Sequence, residues 1–456
     1  MIDFKEPYKY RSYTINNFRK IPQVEKHLSE EEMFAIEVVG NVLPFKANTY
    51  VVNELIEWDK VPDDPIYRLT FPQKEMLEEE HFNQVAHALK TGMAKPELSE
   101  LVNEIRKSLN PHPAGQMEHN VPEIEGTKLT GVQHKYRETL LFFPNHGQTC
   151  HAYCTFCFRW PQFVGIDELK FAMRETDLLV KYLKEHKEVS DVLFTGGDPM
   201  IMNVKRLRAY IEPLLEEGLE HIQTIRIGSK ALGYWPYRFL TDKDAEEVLA
   251  LFEQIVKSGK HLAFMGHFNH PAELKTPAVQ EAIKRVLATG AQIRTQSPMM
   301  RHINDKAEDW ATMWRQQVQL GCIPYYTFLA RDTGAQDYFA VPLVKAWEIF
   351  RKAYQSVSGV SRTVRGPSMS AAPGKVQVLG VSEINGEKVM SLRFLQGRNP
   401  NWVHRPFFAK YNEEAVWLDD LEPAFENEFF FEREFNAMTG DKSPDVIREA
   451  FFEESF

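Results

Sequence analysis

Three of the four cysteines lie in one short stretch, Cys150, Cys154 and Cys157, with the spacing C-x3-C-x2-C. An iron–sulfur cube is normally held by four thiolates, so three thiolates leave one iron open to another ligand. An open iron can bind the amino and carboxylate groups of S-adenosylmethionine, and radical reactions on that cofactor are among the chemistries of iron–sulfur centres. The motif therefore predicts a [4Fe-4S] cluster that works with S-adenosylmethionine.

Two other interpretations of the cysteines use the same residues. A structural zinc site would combine the three cysteines with His146 or His151 as the fourth ligand. Zinc sites usually pair two knuckles across a longer spacer, and the sequence has no second knuckle. A disulfide fits less well, because the cluster has an odd number of cysteines and no signal peptide precedes it, which indicates a reducing compartment. The spacing favours the cluster over zinc.

The length and composition indicate a large globular protein. With 456 residues, of which 43% are hydrophobic, the chain can bury an extensive core and form more than one domain. No run approaches the ~20 apolar residues of a membrane helix. Residues 1–6 carry charges and lack the apolar core of a signal peptide. We therefore expect a cytoplasmic protein without a membrane segment.

The formal net charge of −10 is unevenly distributed. The segment from Glu413 onward contains 14 acidic and 3 basic residues and so carries −11, which leaves about +1 for the rest of the chain. A nearly neutral body argues against a nucleic-acid surface. The acidic tail is either a partner-docking arm or a solvated helical face, and the pattern favours the second.

Residues 1–130 have the pattern of helices and loops, with helical spacing at Glu31–Glu37 and Gln73–Lys90, whereas a β–α alternation begins near residue 139. Six units in series without a GxGxxG turn favour a parallel sheet in a barrel over a dinucleotide-binding fold. We predict an α/β protein with a partial (β/α)6 TIM-like barrel, an N-terminal helical region and a C-terminal extension. The predicted strands are Leu140–Phe143, Asp191–Thr195, Gln223–Ile227, His261–Met265, Gln292–Thr295 and Pro324–Leu329, and the predicted helices are Asp167–Glu188, Val204–Glu217, Asp242–Ser258, Pro277–Thr289, Asp305–Leu320 and Val341–Gln355.

Polar residues follow every predicted strand except the first. The first is followed by the segment that carries Cys150, Cys154 and Cys157, called the cysteine loop below. In a parallel barrel all carboxyl ends of strands lie at one rim, where the active sites of such barrels form. We therefore predict one site at this rim. The cysteine loop follows the first strand, and the later strands end in Gly196-Gly197-Asp198, Gly228-Ser229, His267-Phe268-Asn269-His270, Gln296-Ser297 and Arg331-Asp332.

The fourth cysteine, Cys322, precedes the sixth predicted strand and so belongs to the opposite end of the sheet. A strand of five to six residues spans about 17–20 Å, so Cys322 should not reach the other thiols. We expect a buried thiol there. His267 and His270 are three residues apart at a strand end rather than on a helix face, which disfavours zinc.

The C-terminal part is predicted to contain a β-hairpin. Two extended runs, Val376–Val381 and Val389–Phe394, are joined through Asn385-Gly386, a dipeptide typical of tight hairpin turns. The last forty or so residues are acidic and Phe-rich and should form helix packed on the body. We divide the chain into residues 1–130 (helical region), 131–357 (barrel), 358–412 (loop and hairpin) and 413–456 (acidic tail).

In these motifs the chain resembles the lysine 2,3-aminomutase family of radical S-adenosylmethionine enzymes, from about residue 40 to about residue 380. Several motifs in the same order make this a more specific signal than the cysteines alone. They are Asp63-Asp64-Pro65, Tyr136, the three cysteines, Phe194-Thr-Gly-Gly-Asp198, Arg226-Ile-Gly-Ser229, His267-Phe-Asn-His270-Pro, Gln296-Ser297, Pro324-Tyr-Tyr326 and Ala372-Pro373-Gly374.

The resemblance implies a 5′-deoxyadenosyl radical that takes hydrogen from an amino acid held by pyridoxal phosphate, followed by 1,2-migration of nitrogen. It implies that Arg159 pairs with the substrate carboxylate, a task that suits its planar fork. It also leads us to expect an electron donor such as flavodoxin or ferredoxin, an amino-acid-like substrate, a homo-oligomer and no nucleic acid. The implied S-adenosylmethionine shell comprises Gly196, Gly197, Asp198, Ser229, His267 and Gln296.

The sequence departs from the family around pyridoxal phosphate. The family's lysine follows a Pro-Gly-Gly-Gly-Gly run, whereas here Lys375 follows Pro373-Gly374 directly. Lys375 is either the Schiff-base lysine or an ordinary loop lysine. A phosphate-binding arginine of the family is replaced by Thr139, although Lys135 and Tyr136 remain as candidate contacts for pyridoxal phosphate.

The substrate positions also differ from the family. Two acidic residues that hold the far amine of lysine align with Arg331 and Ala371. A cation in place of a carboxylate should repel an ammonium group, so a substrate with a neutral or acidic distal group fits better than lysine. Arg331 either contacts this substrate or forms a salt bridge with Asp332 or Asp337.

Three functions follow from these observations. The first is a radical aminomutase that uses the cluster, S-adenosylmethionine and pyridoxal phosphate. The second is a radical S-adenosylmethionine enzyme without pyridoxal phosphate, which would catalyse dehydrogenation, elimination or epimerisation. The third is a non-catalytic, metal-stabilised binding protein, which the retained rim residues disfavour.

Overall fold

The computed structural model describes residues 8–109, 120–165 and 171–440. Three segments considered above lie outside these ranges: residues 1–6, the start of the predicted helix at 167–170, and residues 441–456 of the acidic tail.

Fourteen α-helices are present among the described residues. Their starts follow ordinary capping rules: for example, the Ser29 side chain and Glu32 form a capping box at the second helix, and Thr276 caps the tenth. The helices are Pro22–His27 (α1), Glu30–Val42 (α2), Pro65–Thr70 (α3), Glu79–Lys90 (α4), Lys95–Ser108 (α5), Thr176–Glu185 (α6), Val204–Ile211 (α7), Ala231–Tyr234 (α8), Ala245–Lys257 (α9), Pro277–Ala288 (α10), Ala307–Gln319 (α11), Gln336–Phe339 (α12), Leu343–Gln355 (α13) and Glu432–Thr439 (α14).

Fifteen strands are present in the same residues, and most belong to one sheet. They are Ser12–Thr14 (β1), Lys46–Asn48 (β2), Glu123–Ile124 (β3), Thr127–Lys128 (β4), Val132–Tyr136 (β5), Thr139–Phe142 (β6), Asp191–Phe194 (β7), Thr224–Ser229 (β8), His261–His267 (β9), Gln292–Met299 (β10), Ile323–Leu329 (β11), Arg365–Ser370 (β12), Gly374–Ile384 (β13), Glu387–Gly397 (β14) and Pro406–Lys410 (β15).

The main sheet has eleven strands in sequential order from β5 to β15. Strands β6 to β12 run parallel, and the helices between them supply the crossovers. Strand β5 pairs antiparallel at one edge, and β13, β14 and β15 extend the other edge as an antiparallel meander. An α/β fold with a large parallel sheet is therefore confirmed.

The six predicted strands all occur, with ends shifted by a few residues, and a seventh parallel strand follows them. The sequence prediction missed β12, because its sequence Arg365-Gly-Pro-Ser-Met-Ser370 contains Gly and Pro and has no alternating pattern. The hairpin at Asn385-Gly386 is confirmed, since both residues have positive φ and join β13 to β14. The helical tail prediction is wrong for most of the described part, where α14 and a short 3-10 helix at Leu418–Asp420 are the helical segments.

The main sheet is curved, so that β5 at one end of its parallel part lies close to the turn between β12 and β13 at the other end. The Lys135 Nζ atom on β5 donates to the Ala371 carbonyl, 2.5 Å away, in the turn between β12 and β13. Arg398, just after β14, donates to Asn120 at 2.6 Å, a residue that precedes β5. The concave side of the curved sheet, closed by these contacts, is called the interior below. It is lined by side chains from strands at both ends of the sheet.

The N-terminal region packs against the main sheet as part of the same hydrophobic core, which runs from Tyr13 to Met438. Its strand β2 lies beside the cysteine loop, and the buried Asn48 side chain links the two: Nδ2 donates to the carbonyls of His151 (3.2 Å) and Tyr234 (2.9 Å). Asn48 Oδ1 accepts from the Val51 amide. In the part of the chain that the structure describes, no helix is long and apolar enough to cross a bilayer.

We predict that Asn48→Ala lowers the free energy of unfolding by about 1–3 kcal/mol, because it leaves buried backbone groups without partners. Urea unfolding followed by circular dichroism measures the change. Asn16→Ala, at an exposed position, is the matched control and should change stability little. Equal effects of the two substitutions would contradict the assigned role of Asn48.

Candidate functional site

The cysteine loop has no regular secondary structure around its three cysteines, and the N-terminal region holds its backbone. The Lys46 Nζ atom donates to the Cys150 carbonyl (2.7 Å), and the Tyr153 amide donates to the Lys46 carbonyl (2.7 Å). The Thr155 amide donates to the Leu69 carbonyl (3.0 Å). Since buried backbone groups need partners, these contacts fix the path of the loop.

The three thiols lie close enough to influence one another. Burial raises the pKa of Cys154 to about 12 and that of Cys157 to about 11, and burial with the nearby Asp198 raises the pKa of Cys150 as well. Buried thiols with such pKa values become thiolates readily only when a metal stabilises the negative charge. This chemistry fits a metal cluster as the resident group.

The single-zinc alternative receives no support from the arrangement of the side chains. Among the described residues, no group of three His, Cys, Asp or Glu side chains converges as ligands of one ion. In a [4Fe-4S] cluster each of the three thiolates binds a different iron, so the three sulfur atoms need not point at a single metal ion. His146 is hydrogen-bonded to the Tyr210 hydroxyl (2.8 Å), and the His151 ring stacks on Trp235.

The two glycines after β7 pack tightly against the cysteine loop. A Cβ atom on Gly197 would lie 2.5 Å from the Thr149 nitrogen and 2.6 Å from its oxygen, and one on Gly196 would meet the Gln148 side chain. The Asp198 amide donates to the carbonyls of Gly147 and Thr149. These glycines therefore position the loop that precedes Cys150, a role that the sequence did not assign to them.

The Asp198 carboxylate is buried and tied to the end of β8. It accepts from the amides of Met200 (2.9 Å) and Lys230 (3.0 Å), and it interacts with the Ser229 hydroxyl. Burial raises its pKa to about 6, and the hydrogen bonds partly oppose that rise. Two of the predicted S-adenosylmethionine residues thus meet at adjacent strand ends.

His267, the last residue of β9, and Gln296, which lies within β10, also meet. Their Nε2 atoms are hydrogen-bonded at 2.8 Å. Burial lowers the pKa of His267 to about 4, so the imidazole is neutral at physiological pH. His270 does not join this pair: its Nδ1 accepts from the Ala272 amide, and its Nε2 lies 3.7 Å from Asp309.

A buried ion pair lies beside the cysteine loop. The Lys230 Nζ atom donates to Glu273 (2.5 Å) and Asn269 (2.7 Å) and lies 4.1 Å from the centre of the Tyr234 ring. Glu273 is completely buried, and Lys230 has 11% of its side chain exposed. Sequence reasoning placed Asn269 in a strand-end motif without a role and missed Lys230, which directly follows the predicted strand end Gly228-Ser229, and Glu273.

Arg159 is positioned by aromatic rings. Its guanidinium lies 4.1 Å from the centre of the Phe143 ring and 5.1 Å from that of Phe158. Burial lowers its pKa to about 10, and the nearby Cys157 opposes that change. Its planar guanidinium fork, close to Cys157, is a suitable donor for an anionic ligand.

Lys375 projects into the interior of the curved sheet from the start of β13. Its Nζ atom lies 4.2 Å from the centre of the Tyr326 ring and donates to Gln396 at 3.1 Å. Burial, with smaller contributions from Arg226 and Arg365, lowers its pKa to about 7. Lys375 therefore loses its proton much more readily than an ordinary lysine.

Lys135 and Tyr136, the other candidate contacts for pyridoxal phosphate, lie across the interior from Lys375. Burial, together with Arg398 and Lys375, lowers the pKa of Lys135 well below its usual value. Burial raises the pKa of Tyr136. Thr139, at the position of the family's arginine, is buried at the start of β6.

Arg331 forms a salt bridge with the acidic tail rather than with Asp337. Its Nη1 lies 2.8 Å from Asp419, its Nε lies 3.5 Å from Asp332, and its guanidinium is 5.0 Å from the centre of the Trp417 ring. The salt-bridge alternative thus has a geometric basis. Cys322 is buried and precedes β11 at the amino end of the sheet, as expected, and burial raises its pKa to about 12.

Comparison with known proteins identifies relatives over most of the chain. A protein of Aquifex aeolicus (strain VF5) that carries the provisional name L-lysine 2,3-aminomutase is 31% identical over 396 residues, which cover 87% of this chain and 92% of the relative. L-lysine 2,3-aminomutase of Fusobacterium nucleatum is 26% identical over 237 residues, 52% of each chain. No protein-family model matches the sequence.

Solved structures are less similar. The crystal structure of a radical SAM methyltransferase from Sphaerobacter thermophilus aligns over 63% of this chain and 88% of that chain, with a TM-score of 0.35 and 12% identity. Such a likeness is too low to bear on the fold or the function.

We predict that Gly197→Ala displaces the cysteine loop, because its Cβ would overlap the Thr149 backbone. We expect a loss of about 1–3 kcal/mol in the free energy of unfolding and less iron bound after anaerobic reconstitution. Iron analysis and urea unfolding provide the measurements. Gly359→Ala, where an added Cβ has nothing within 4 Å, is the matched control. Full iron binding by Gly197→Ala would show that the loop tolerates the displacement.

Proposed function

The chain belongs to the lysine 2,3-aminomutase family of radical S-adenosylmethionine enzymes, and from that membership we propose that it moves an amino group between adjacent carbons of an amino acid other than lysine. The family implies a [4Fe-4S] cluster and S-adenosylmethionine. We assign the cluster to Cys150, Cys154 and Cys157, and the cofactor shell to the rim residues Asp198, Ser229, His267 and Gln296 with the Gly196-Gly197 turn. We also propose that the parallel strands form a partial barrel around the interior.

The observation that carries this proposal is the environment of Lys375. A lysine that is to condense with an aldehyde must be a neutral amine, and burial beside other cations is a known way to achieve this. Lys375 has both features, since it lies in the interior with Arg226 and Arg365 nearby and its pKa is lowered to about 7. We therefore assign Lys375 as the residue that holds pyridoxal phosphate.

The residues around Lys375 suit the remaining parts of that cofactor. Pyridoxal phosphate, when bound, supplies an aldehyde and an electron-accepting ring, and the cluster with S-adenosylmethionine supplies a carbon radical for hydrogen abstraction. The Arg365 guanidinium is a fixed positive charge in the interior that favours a phosphate group, and Lys135 supplies a further N–H donor. The Tyr326 ring lies 4.2 Å from Lys375 Nζ, where it can limit access of water to the amine.

Arg159 is assigned to the α-carboxylate of the substrate. It is the arginine nearest in sequence to the cluster cysteines, and the Phe143 ring holds its guanidinium plane. The buried guanidinium of Arg159 has lost hydrogen bonds to water, and a bound carboxylate would supply charge-assisted hydrogen bonds in their place. The geometry would place the substrate between the rim and the interior amine.

The proposal of a substrate other than lysine rests on two positions. Where the family has acidic residues, this chain has Arg331 and Ala371. The Lys135 side chain donates to the Ala371 carbonyl at 2.5 Å and so occupies the vicinity of one of these positions. At the other position the Arg331 guanidinium would repel a distal ammonium of the substrate but not a neutral or acidic group.

We further propose a cytoplasmic enzyme, a one-electron donor of the flavodoxin or ferredoxin class and a homo-oligomeric assembly. The support is membership of the family, whose chemistry begins with a one-electron reduction. The near-neutral charge of the chain outside the acidic tail offers no support for nucleic-acid binding.

One observation favours a second function, a radical S-adenosylmethionine enzyme without pyridoxal phosphate. Lys375 is the second residue of strand β13 and pairs with Ser370 and Gln396 in neighbouring strands, with a register shift directly after it. The flexible glycine run of the family is absent from the sequence at this point. In this alternative Lys375 would bind a substrate anion or exchange a proton rather than hold a cofactor.

We predict that Lys375→Ala abolishes the visible absorbance that a lysine-bound pyridoxal phosphate gives after incubation with the cofactor, while the iron content is unchanged. Borohydride should fix the cofactor to the unaltered protein, and peptide mass spectrometry should locate it on Lys375. Lys388→Ala, at an exposed position, is the control. Formation of 5′-deoxyadenosine with no cofactor bound to any lysine would favour the second function.

We also predict how the labelling of Lys375 by pyridoxal phosphate, fixed with borohydride, depends on pH. The labelled fraction should rise between about pH 6 and pH 8 and then level off. The neutral amine is the nucleophile, so labelling follows deprotonation, which for Lys375 is centred at about 7. An ordinary lysine deprotonates near pH 10.4, so its labelling would still be rising at pH 9. Mass spectrometry of the labelled peptide at each pH makes the measurement, and a plateau reached only above pH 9 would contradict the lowered pKa.

A further inference from the structure

The phenol of Tyr234 is a buried polar group that the proposed reaction does not use. Tyr234 ends helix α8, has 1% of its surface exposed, and its hydroxyl has no hydrogen-bond partner with complete geometry among the described residues. Buried hydroxyls without a partner are rare and call for an explanation. A ligand or group that is bound in the working protein would provide that partner.

Cys154 is the neighbour that explains the position of this phenol. The Tyr234 hydroxyl and the Cys154 thiol lie close enough to interact as a hydrogen-bonding pair. Asn48 Nδ2 also donates to the carbonyls of both Tyr234 (2.9 Å) and His151 (3.2 Å), which holds helix α8 against the cysteine loop. The phenol O–H is a hydrogen-bond donor, and the Cys154 sulfur is the acceptor within its reach.

Lys230 strengthens this donor. Its ammonium lies 4.1 Å from the centre of the Tyr234 ring, and Glu273 and Asn269 hold it there by hydrogen bonds of 2.5 and 2.7 Å. A cation above the ring face withdraws electron density from the phenol, which makes its O–H a better donor. The positive charge of Lys230 also acts on Cys154.

We propose that Tyr234 donates a hydrogen bond to the cluster sulfur of Cys154 and, with Lys230, raises the reduction potential of the cluster. One electron from a reduced one-electron donor adds a negative charge to the iron–sulfur core, and no proton need be transferred. A hydrogen bond to a ligand sulfur and a nearby cation both stabilise that added charge. The pair thus makes the cluster easier to reduce.

The test compares midpoint potentials of the anaerobically reconstituted full-length chain, measured by redox titration with electron paramagnetic resonance. Tyr234→Phe should lower the reduction equilibrium constant about tenfold, which is roughly 59 mV more negative for one electron. Tyr182→Phe is the control, because the Tyr182 hydroxyl bonds to His134, away from the cysteine loop. Iron and sulfide analysis shows whether each variant holds an intact cluster.

A second substitution covers the case in which Tyr234→Phe does not assemble the cluster. Incorporation of 3-fluorotyrosine at position 234 keeps the shape of the side chain and strengthens the donor, so the potential should become more positive. Unchanged potentials in both variants with full iron content would overturn the proposal. The proposed amino migration could fail without affecting this result, because the measurement needs neither substrate nor pyridoxal phosphate.

Discussion

The structure depends on holding an irregular loop of backbone in one shape. The segment that carries the three cysteines forms no ladder of its own around them, so its amides and carbonyls need partners from elsewhere. Lys46 and Asn48 provide them from strand β2, and the Gly196-Gly197 turn presses against the loop from the other side. The N-terminal region, which has no catalytic motif of its own, thereby determines where the thiols lie.

A second constraint is the positive interior. Four basic side chains approach one another from strands at both ends of the sheet: Lys135, Lys375, Arg226 and Arg365. In the described part of the chain, Arg226 is the one of the four that pairs with a carboxylate, that of Asp191 at 2.7 Å. Burial and mutual repulsion lower the pKa values of the lysines, so the interior combines neutral amines with fixed guanidinium charges. The rim, by contrast, has a neutral imidazole at His267 and a buried carboxylate at Asp198. The rim and the interior therefore favour different chemical groups of a bound ligand.

The parts of the molecule that follow local rules could be predicted from the sequence. The parallel strands, most crossover helices and the Asn385-Gly386 hairpin were found, because apolar periodicity and turn residues determine them. The meeting of Asp198 with Ser229 followed from the rule that carboxyl ends of parallel strands share an edge. His267 and Gln296 meet as directly paired residues of β9 and β10, and β10 continues to Met299. Strand β12 was missed because its formation depends on pairing with β11 rather than on its own pattern. The Lys230–Glu273 pair and the salt bridge from Arg331 to Asp419 join residues 43 and 88 positions apart, and no local pattern signals such pairs.

The supports of the cysteine loop come from far away in the chain. Asn48 and Lys46 lie 103 and 104 positions before their partners in the loop, and Tyr10, which donates to the His151 carbonyl, lies 141 positions before it. A synthetic peptide covering residues 146–159 would contain every ligand thiol and yet none of these anchors. Such a peptide could bind iron and sulfide, but its open iron would face solvent in many conformations instead of one. Miniature versions of this centre must therefore reproduce the scaffold, and copying the motif alone is insufficient.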